Sequence, residues 1–292
     1  MRTLPTEIGE MGAEGIADIV RSETGSLPLS AVAESAEPPI SWEALSSAGW
    51  DTFGVLADGE GATTLDLATF AKAWGYGSIP LPLLTTMIVK RHSEALEDST
   101  SPLTFALPYE DQVIVPFGTF SGIRLVSQLG SGSETAGDPP AGEGDTLDLV
   151  GRGRLSSGTV DLTETVAREV AVVFASEAVG GAERLLADTI DFVKDRQQFG
   201  RPVGSFQAVK HKLADAAVAV ETADTATIWA SERPDEAFRG ALFAVDKSID
   251  LAEAAIQSHG GLGFTWEVGL HFILRRMLSA RRLINELELR FG

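Results

Sequence analysis

The chain has 292 residues, of which 44% are hydrophobic and 22% are charged, a composition typical of a globular protein with an ample core. Its 42 acidic residues outnumber 23 basic ones and give a net charge of −19, which disfavours binding to nucleic acid or to an anionic membrane. The absence of cysteine excludes disulfides, thiolate catalysis and cysteine-ligated metals, and the four histidines never take the i, i+4 spacing of a helical zinc pair. No apolar run is long enough for a signal peptide or a membrane span, so we expect a cytoplasmic protein without a bound metal.

Residues 1–100 are predicted to form an N-terminal region of short helices. Apolar residues recur at helical spacing within 41–50 and again within 63–77, and Ser41 stands in the N-cap position of the first of these helices. The prolines of "IPLPLL" (79–84) exclude a helix at that point, because proline forces the preceding residue out of the α region.

Residues 101–163 are predicted to form a small antiparallel β region. A Gly/Ser/Pro-rich segment at 130–145 interrupts it and is predicted to be a mobile loop. The predicted short strands lie in "LTFALPYEDQVIVPF", "SGIRLVSQL", "TLDLVGRGRL" and "GTVDLT".

From about Thr163 onwards the chain is predicted to consist of four long helices. Each spans roughly 25–35 residues, well above the mean of about 11–12 for globular proteins. Long helices with short connections favour an antiparallel four-helix bundle, and the glycines of "AVGGAE" (178–183) are expected to ease helix packing. The predicted fold is therefore mainly α with a small β region. The four segments are 163–198, 205–232, 235–261 and 265–291.

The corner "KDRQQFGRPVGSFQAVKHKLAD" (194–215) joins the first two of these helices. Arg196 ends one helix, Phe199-Gly200 makes the turn, and Gln207 lies in the first turn of the next helix. A guanidinium, an amide, free backbone N–H groups and a positive helix end together suit a phosphate or pyrophosphate. A helix-capping arginine beside a packing phenylalanine is the alternative, and the residues alone leave both open.

Two further segments are candidates for ligand contact. In "QSHGGLGF" (257–264), Gln257 precedes a glycine pair at a helix end, where backbone can approach a ligand closely, although a glycine C-cap is the alternative. The basic cluster "RRMLSARR" (275–282) can meet an anion or form interhelical ion pairs.

The corner and the glycine segment together resemble the C-terminal domain of acyl-CoA dehydrogenases. The resemblance covers about 165–283 strongly and extends weakly over 41–84, which is similar to the N-terminal helical domain of that family. It implies an N-terminal helical domain at 1–100, a shortened middle β domain at 101–163 and a C-terminal four-helix bundle at 164–292.

The resemblance also implies FAD as cofactor, an acyl-CoA thioester as substrate and an electron-transfer acceptor as partner. In that family FAD lies across a subunit interface, and the matching residues here are those that a subunit gives to its neighbour's FAD. Arg196 would contact the pyrophosphate, and Arg201 would be structural. By the same resemblance, Gln198, Phe199 and Gln207 would lie beside the flavin nucleotide, and Gln257, Gly260 and Gly261 would border its adenosine side.

The sequence departs from the family at the catalytic base. The family reaction removes an α-proton with a glutamate, and the two places where members carry it fall here on Val170 and on Ile284-Asn285. Glu169 and Glu286 are adjacent but out of register, so they are weak candidates for a displaced base. The Thr/Ser/Gly-rich segment and tryptophan that clasp the flavin ring are not found in 101–163.

These departures lead to one leading hypothesis and two alternatives. The chain resembles the non-catalytic subunit of α2β2 acyl-CoA dehydrogenases of actinobacteria, which are associated with CoA esters of steroid side chains. It would then complete the FAD site of a second acyl-CoA dehydrogenase chain and be inactive alone. The alternatives are a self-sufficient dehydrogenase with a displaced base and a flavin-free scaffold or CoA-binding module.

Overall fold

The structure is a computed structural model that describes residues 4–25, 27–33, 38–57, 60–139, 144–145 and 153–292. Within the described residues, no helix combines the length and the apolar character needed to cross a bilayer. The N-terminal elements of the chain are α1 (Glu7–Thr24), α2 (Leu29–Ala33), α3 (Trp42–Ser47), β1 (Leu56–Ala57), β2 (Glu60–Gly61), α4 (Thr64–Gly77) and α5 (Leu83–Arg91).

Side chains cap the starts of two helices in this region. The Ser41 hydroxyl accepts a hydrogen bond from the Ala44 N–H at 3.1 Å, which confirms the predicted N-cap of α3. Thr63 and Asp66 form a reciprocal capping box at the start of α4. Asp66 is fully buried and also accepts hydrogen bonds from the Thr6 backbone at 2.7 Å and from its hydroxyl at 2.9 Å, so one carboxylate ties α1 to α4.

The middle region contains two small sheets. Their strand orders are β3-β6-β7 and β4-β5-β9-β8, and all pairs are antiparallel except β3 with β6, which is parallel. The expectation of a wholly antiparallel region is therefore wrong at that pair, because the β4–β5 hairpin between the two strands belongs to the other sheet. The strands are β3 (Leu103–Phe105), β4 (Leu107–Tyr109), β5 (Gln112–Val115), β6 (Arg124–Ser127), β7 (Thr135–Gly137), β8 (Gly144–Asp145) and β9 (Gly153–Ser156).

Two further predictions for this region are corrected by the structure. The segment 130–145 was expected to be a loop, but β7 and β8 lie within it and pair with β6 and β9. "GTVDLT" forms an isolated bridge between Leu129 and Leu162 rather than a strand, because Thr163 turns into the helix and caps it through the Val166 N–H. Residues 146–152 of the predicted strand "TLDLVGRGRL" lie outside the described residues.

Four long helices make up the rest of the chain and confirm the predicted bundle. The connections between them are short, so successive helices run antiparallel and pack around a shared apolar core. The hairpin of β10 (Gln197–Gln198) and β11 (Arg201–Pro202) joins the first two. The helices are α6 (Glu164–Asp195), α7 (Gln207–Ser231), α8 (Ala237–His259) and α9 (Leu270–Phe291), with 32, 25, 23 and 22 residues.

Glycines allow α4 and α6 to pack closely against each other. A Cβ built on Gly75 would lie 2.1 Å from the Glu177 carbonyl oxygen, and one built on Gly180 would lie 1.9 Å from the Lys72 carbonyl oxygen. The two backbones therefore pack directly against each other, which confirms the predicted packing role at Gly180 and fixes α4 on the bundle.

Candidate functional site

The corner between α6 and α7 is a tight two-residue hairpin. Phe199 and Gly200 form its turn with φ values of 52° and 76°, both in the left-handed region that type I′ turns require. The Phe199 side chain is 92% exposed at the tip, and Gln198 beside it donates from its amide to the Gln197 carbonyl at 2.8 Å.

Arg196 lies where α6 gives way to the hairpin. Its backbone N–H still bonds the Phe192 carbonyl at 3.0 Å, and its exposed guanidinium lies 5.8 Å from the centre of the Phe192 ring. Across the described ranges, no acidic side chain forms an ion pair with Arg196. Its positive charge is therefore not neutralised within the described part of its own chain.

The start of α7 is uncapped. Phe206 stands at the N-cap and provides no side-chain hydrogen bond, so the N–H groups of Gln207 and Ala208 have no acceptor among the described residues, whereas those of Val209 and Lys210 bond the Phe206 carbonyl. The Ser205 hydroxyl is buried and has no hydrogen-bond partner among the described residues. Arg201, by contrast, lies 4.0 Å from the centre of the Phe206 ring, in a cation–π contact with its own chain.

The glycine segment after α8 leaves its backbone open. Gly260 adopts φ 63° and ψ −139°, a conformation essentially confined to glycine. A Cβ added at Gly260 or Gly261 would meet no atom within 4 Å, so the space above both residues is free. The exposed Gln257 lies in the last turn of α8.

Two contacts bring the corner and the glycine segment together at one end of the bundle. The Phe192 ring stacks on His259 with centroids 4.1 Å apart, and the Lys212 ammonium donates to the Gln257 side-chain oxygen at 2.8 Å. Phe192 thus contacts Arg196 on one side and the residue before Gly260 on the other. The structure therefore assembles all of the sequence-predicted cofactor residues around one end of α6, α7 and α8.

Exposed apolar side chains surround this end of the bundle and were missed by the sequence analysis. Leu262 is 39%, Phe264 74% and Trp266 56% exposed, in addition to Phe199. The apolar residues Leu262, Phe264 and Trp266 in the link after the glycine pair were a signal in the sequence that this surface is not simply solvated. Clustered exposed apolar groups of this kind mark interaction surfaces.

Glu169, one weak candidate for a displaced base, is buried and forms hydrogen bonds and ion pairs with neighbouring side chains. It is 5% exposed and contacts Arg91 at 2.9 Å, His92 at 2.5 Å and the Thr64 hydroxyl at 3.1 Å. Burial acts to raise the pKa of Glu169, but the hydrogen bond to His92 and the charge of Arg91 outweigh it and hold the pKa below its usual range. This carboxylate holds α4 and α5 against α6, an arrangement that favours a structural role.

Replacing Glu169 with glutamine is expected to lower stability by about 2 kcal/mol at neutral pH, because the buried charge-assisted bonds are lost. Since its pKa is depressed in the folded state, this contribution is present above the unfolded value of 4.5 and is lost as the pH falls through the folded pKa. The measurement is urea unfolding of both proteins at several pH values. A stability difference that grows below about pH 4.5 would contradict this reading, and Glu164→Gln, which removes the exposed carboxylate of a pair with the half-buried Arg168, is the control.

Glu286, the other weak candidate, lies in a cleft of about 450 Å³ between the β4–β5 hairpin and α9. Arg282 in the same cleft pairs with Glu110 and lies 4.4 Å from the centre of the Tyr109 ring. Arg281 pairs with Asp246 of α8 at 3.5 Å.

The basic cluster of α9 is largely engaged in ion pairs between elements. Arg276 forms a buried pair with Glu177 of α6. Burial raises the pKa of Glu177, and the charge of Arg276 opposes this rise. Together with the pair of Arg281, this confirms the interhelical ion pairs expected for 275–282, whereas Arg282 pairs with the turn of the β4–β5 hairpin.

Neither of the two family base positions carries a carboxylate. Val170 and Ile284 are both 0% exposed within the core, and Asn285 is exposed. Within the described ranges, no group of three or more His, Asp or Glu side chains is arranged to hold a metal ion.

Comparisons with known proteins agree with this architecture. The family model for the acyl-CoA dehydrogenase C-terminal domain matches residues 162–283. The acyl-CoA dehydrogenase IpdE2 of Mycobacterium tuberculosis is 30% identical over 244 residues, which cover 78% of this chain and 76% of that protein. The chain therefore belongs to the acyl-CoA dehydrogenase family, a group of flavin-dependent oxidoreductases.

Solved structures share the fold along the whole chain. The ChsE4-ChsE5 complex of Mycobacterium tuberculosis matches with a TM-score of 0.73 at 18% identity, covering 99% of this chain and 97% of that one. A variant of the Tcur3481-Tcur3483 steroid ACAD matches with a TM-score of 0.71 at 20% identity, covering 98% and 97%. The fold, mainly helical with small sheets, is thus that of the acyl-CoA dehydrogenases.

Proposed function

We propose that this chain is the non-catalytic subunit of a heteromeric FAD-dependent acyl-CoA dehydrogenase and completes the FAD site of a partner chain. One observation carries the proposal: an exposed Arg196 without an acidic partner in the described chain lies next to the uncapped start of α7. The open backbone of Gly260 and Gly261 lies at the same end of the bundle. A dinucleotide needs this combination, because its diphosphate requires positive charge and N–H donors while its rings require close approach.

The residues present fit one side of FAD. Arg196 would neutralise the diphosphate, and the open N–H groups at Gln207 and the orphaned Ser205 hydroxyl would donate hydrogen bonds. Gln198 and Phe199 would cover the nucleotide from the hairpin, and Gln257, Gly260 and Gly261 would border its adenosine side. FAD, when bound, supplies the hydride acceptor for α,β-desaturation of an acyl-CoA thioester.

The acid–base chemistry would come from the partner chain. One family base position is the buried Val170, the other falls on the buried Ile284 and the amide Asn285, and Glu169 is held by Arg91 and His92. A self-contained site needs a carboxylate within reach of the substrate. We therefore expect the isolated chain to be inactive, and the complex to pass its electrons to an electron-transfer acceptor.

The partner is proposed to be a second, different acyl-CoA dehydrogenase chain in a heterotetramer. The relative ChsE4-ChsE5 is a complex of two named chains, and Tcur3481-Tcur3483 likewise carries two names and the description of a steroid ACAD. The exposed side chains of Phe199, Phe264 and Trp266 supply the apolar surface that such a partner would cover. By this analogy the substrate is a CoA ester of a steroid side chain.

A self-sufficient dehydrogenase is the second candidate, because Glu286 lines a cleft of about 450 Å³. The purified chain alone would then hold FAD and turn over acyl-CoA, and Glu286→Gln would abolish that activity. Absence of flavin absorbance from the lone chain, but its presence in the complex, would favour the two-chain proposal. A complex without flavin would favour a scaffold.

Replacing Arg196 with glutamine is expected to weaken FAD binding by the complex about 10- to 100-fold, the range for losing a charge-assisted contact. The complex is isolated from its host through a tag on this chain. Bound FAD is then removed, and FAD affinity is measured by flavin fluorescence as FAD is titrated back. Arg201→Gln is the matched control, because that guanidinium is stacked on Phe206 and should leave FAD affinity within about twofold. Unchanged affinity in the Arg196 variant would overturn the proposal.

A further inference from the structure

Lys212 of α7 and Gln257 of α8 form a cross-helix hydrogen bond at the proposed FAD site. The Lys212 Nζ to Gln257 Oε1 distance is 2.8 Å. Lys212 is half-buried and Gln257 is exposed, and the bond joins the helix that starts at the corner to the helix that ends at Gly260. Neither the resemblance nor the comparisons gives Lys212 a role.

The chemistry of the pair fixes the orientation of the amide. A lysine ammonium has three donors and no acceptor, so only the carbonyl oxygen of Gln257 can face it. The amide NH2 group of Gln257 is then turned away from Lys212, and no hydrogen bond from it is found within the described part of the chain. Gln257 therefore presents a donor to whatever lies beside it.

Without Lys212, the Gln257 amide would be free to rotate. A glutamine amide offers either a donor or an acceptor after a half-turn about its last bond, and holding one orientation has an entropic cost. The contact with Lys212 fixes the amide orientation before any ligand binds, so ligand binding does not carry this entropic cost.

We infer that Lys212 is a positioning residue that fixes Gln257 as a hydrogen-bond donor to the nucleotide. The inference rests on the proposed function, because it takes the nucleotide to be FAD. It assigns the atom that Gln257 contacts: an acceptor of the adenosine side, either a sugar oxygen or a ring nitrogen. Gln257 offers no acceptor at this position for an amino or hydroxyl hydrogen of the ligand.

The experiment measures the FAD dissociation constant of the tagged complex by flavin fluorescence. Lys212→Met is expected to weaken FAD binding about tenfold, the effect of one well-oriented hydrogen bond, and Lys212→Arg, which also only donates, is expected to restore affinity to within about twofold. Lys210→Met removes the same charge two residues earlier on the exposed surface of α7 and controls for long-range electrostatics, with an expected change below about twofold.

A double-variant cycle separates positioning from direct contact. In a Gln257→Leu background, Lys212→Met is expected to change FAD affinity no further, because Lys212 acts only through the amide. An equal loss in both backgrounds would overturn the inference, as would an unchanged affinity of Lys212→Met while Arg196→Gln still weakens binding. If Arg196→Gln also leaves affinity unchanged, the proposed function fails together with the inference.

Discussion

Replacing Gly180 with alanine is expected to destabilise the protein by about 3 kcal/mol or more, the upper range for overpacking a well-packed contact. The added Cβ would lie 1.9 Å from the Lys72 oxygen, 2.8 Å from its carbonyl carbon and 2.9 Å from the Tyr76 nitrogen. All three are backbone atoms of α4, so relief requires one whole helix to move. This penalty outweighs the gain of about 1 kcal/mol that alanine has over glycine in a helix.

The neighbouring Gly181 provides the control for this prediction. A Cβ on Gly181 would approach the Ile273 Cγ2 atom at 3.0 Å, so one side chain would have to shift by only a few tenths of an ångström, whereas at Gly180 the obstacle is backbone. Gly181→Ala is therefore expected to change the unfolding free energy by less than about 1 kcal/mol. Both variants are compared by urea unfolding followed by circular dichroism. Equal stability of the two would mean that the α4–α6 contact is looser than described.

Replacing Lys90 with methionine is expected to lower the free energy of unfolding by about 3–5 kcal/mol, the range for leaving one member of a buried ion pair without its partner. The Lys90 ammonium lies 2.8 Å from an Asp51 carboxylate oxygen, and the two side chains are only 3% and 1% exposed. Among the described residues, the only side-chain donor that then remains for the Asp51 carboxylate is the Ser46 hydroxyl, at 3.1 Å.

A second substitution tests whether the loss comes from the stranded charge. Asp51→Asn in the Lys90→Met background removes that charge but keeps an acceptor for Ser46, so more than half of the lost stability is expected to return. Lys194→Met breaks an exposed pair with Asp191, whose side chains are 65% and 75% exposed, and should cost less than about 1 kcal/mol. No recovery in the double variant would mean that the methionine itself disrupts the packing around α5.

Much of the helical architecture follows from local signals in the sequence. Ser41 and Thr63 are side chains that cap helices, and both start helices in the structure. The helix α1 was not singled out, although Ile16 and Val20 recur at helical spacing on its buried face, because the glycines in its first half lower helix propensity.

The strands and the site depended on contacts that no local pattern contains. Whether β3 pairs parallel or antiparallel with β6 is decided by the hairpin inserted between them, which alternation of apolar residues does not encode. The corner and the glycine segment could each be recognised in the sequence. Their meeting through Phe192 and His259 joins residues of different helices and required the folded chain.

The exposed ring of Phe199 has a consequence for contacts between copies of the chain. Together with Phe264 and Trp266 it forms exposed apolar surface of the kind that favours aggregation. The net charge of −19 acts against that outcome, because identical copies repel one another. The acidity of the molecule thus counters the self-association that its exposed aromatic rings favour.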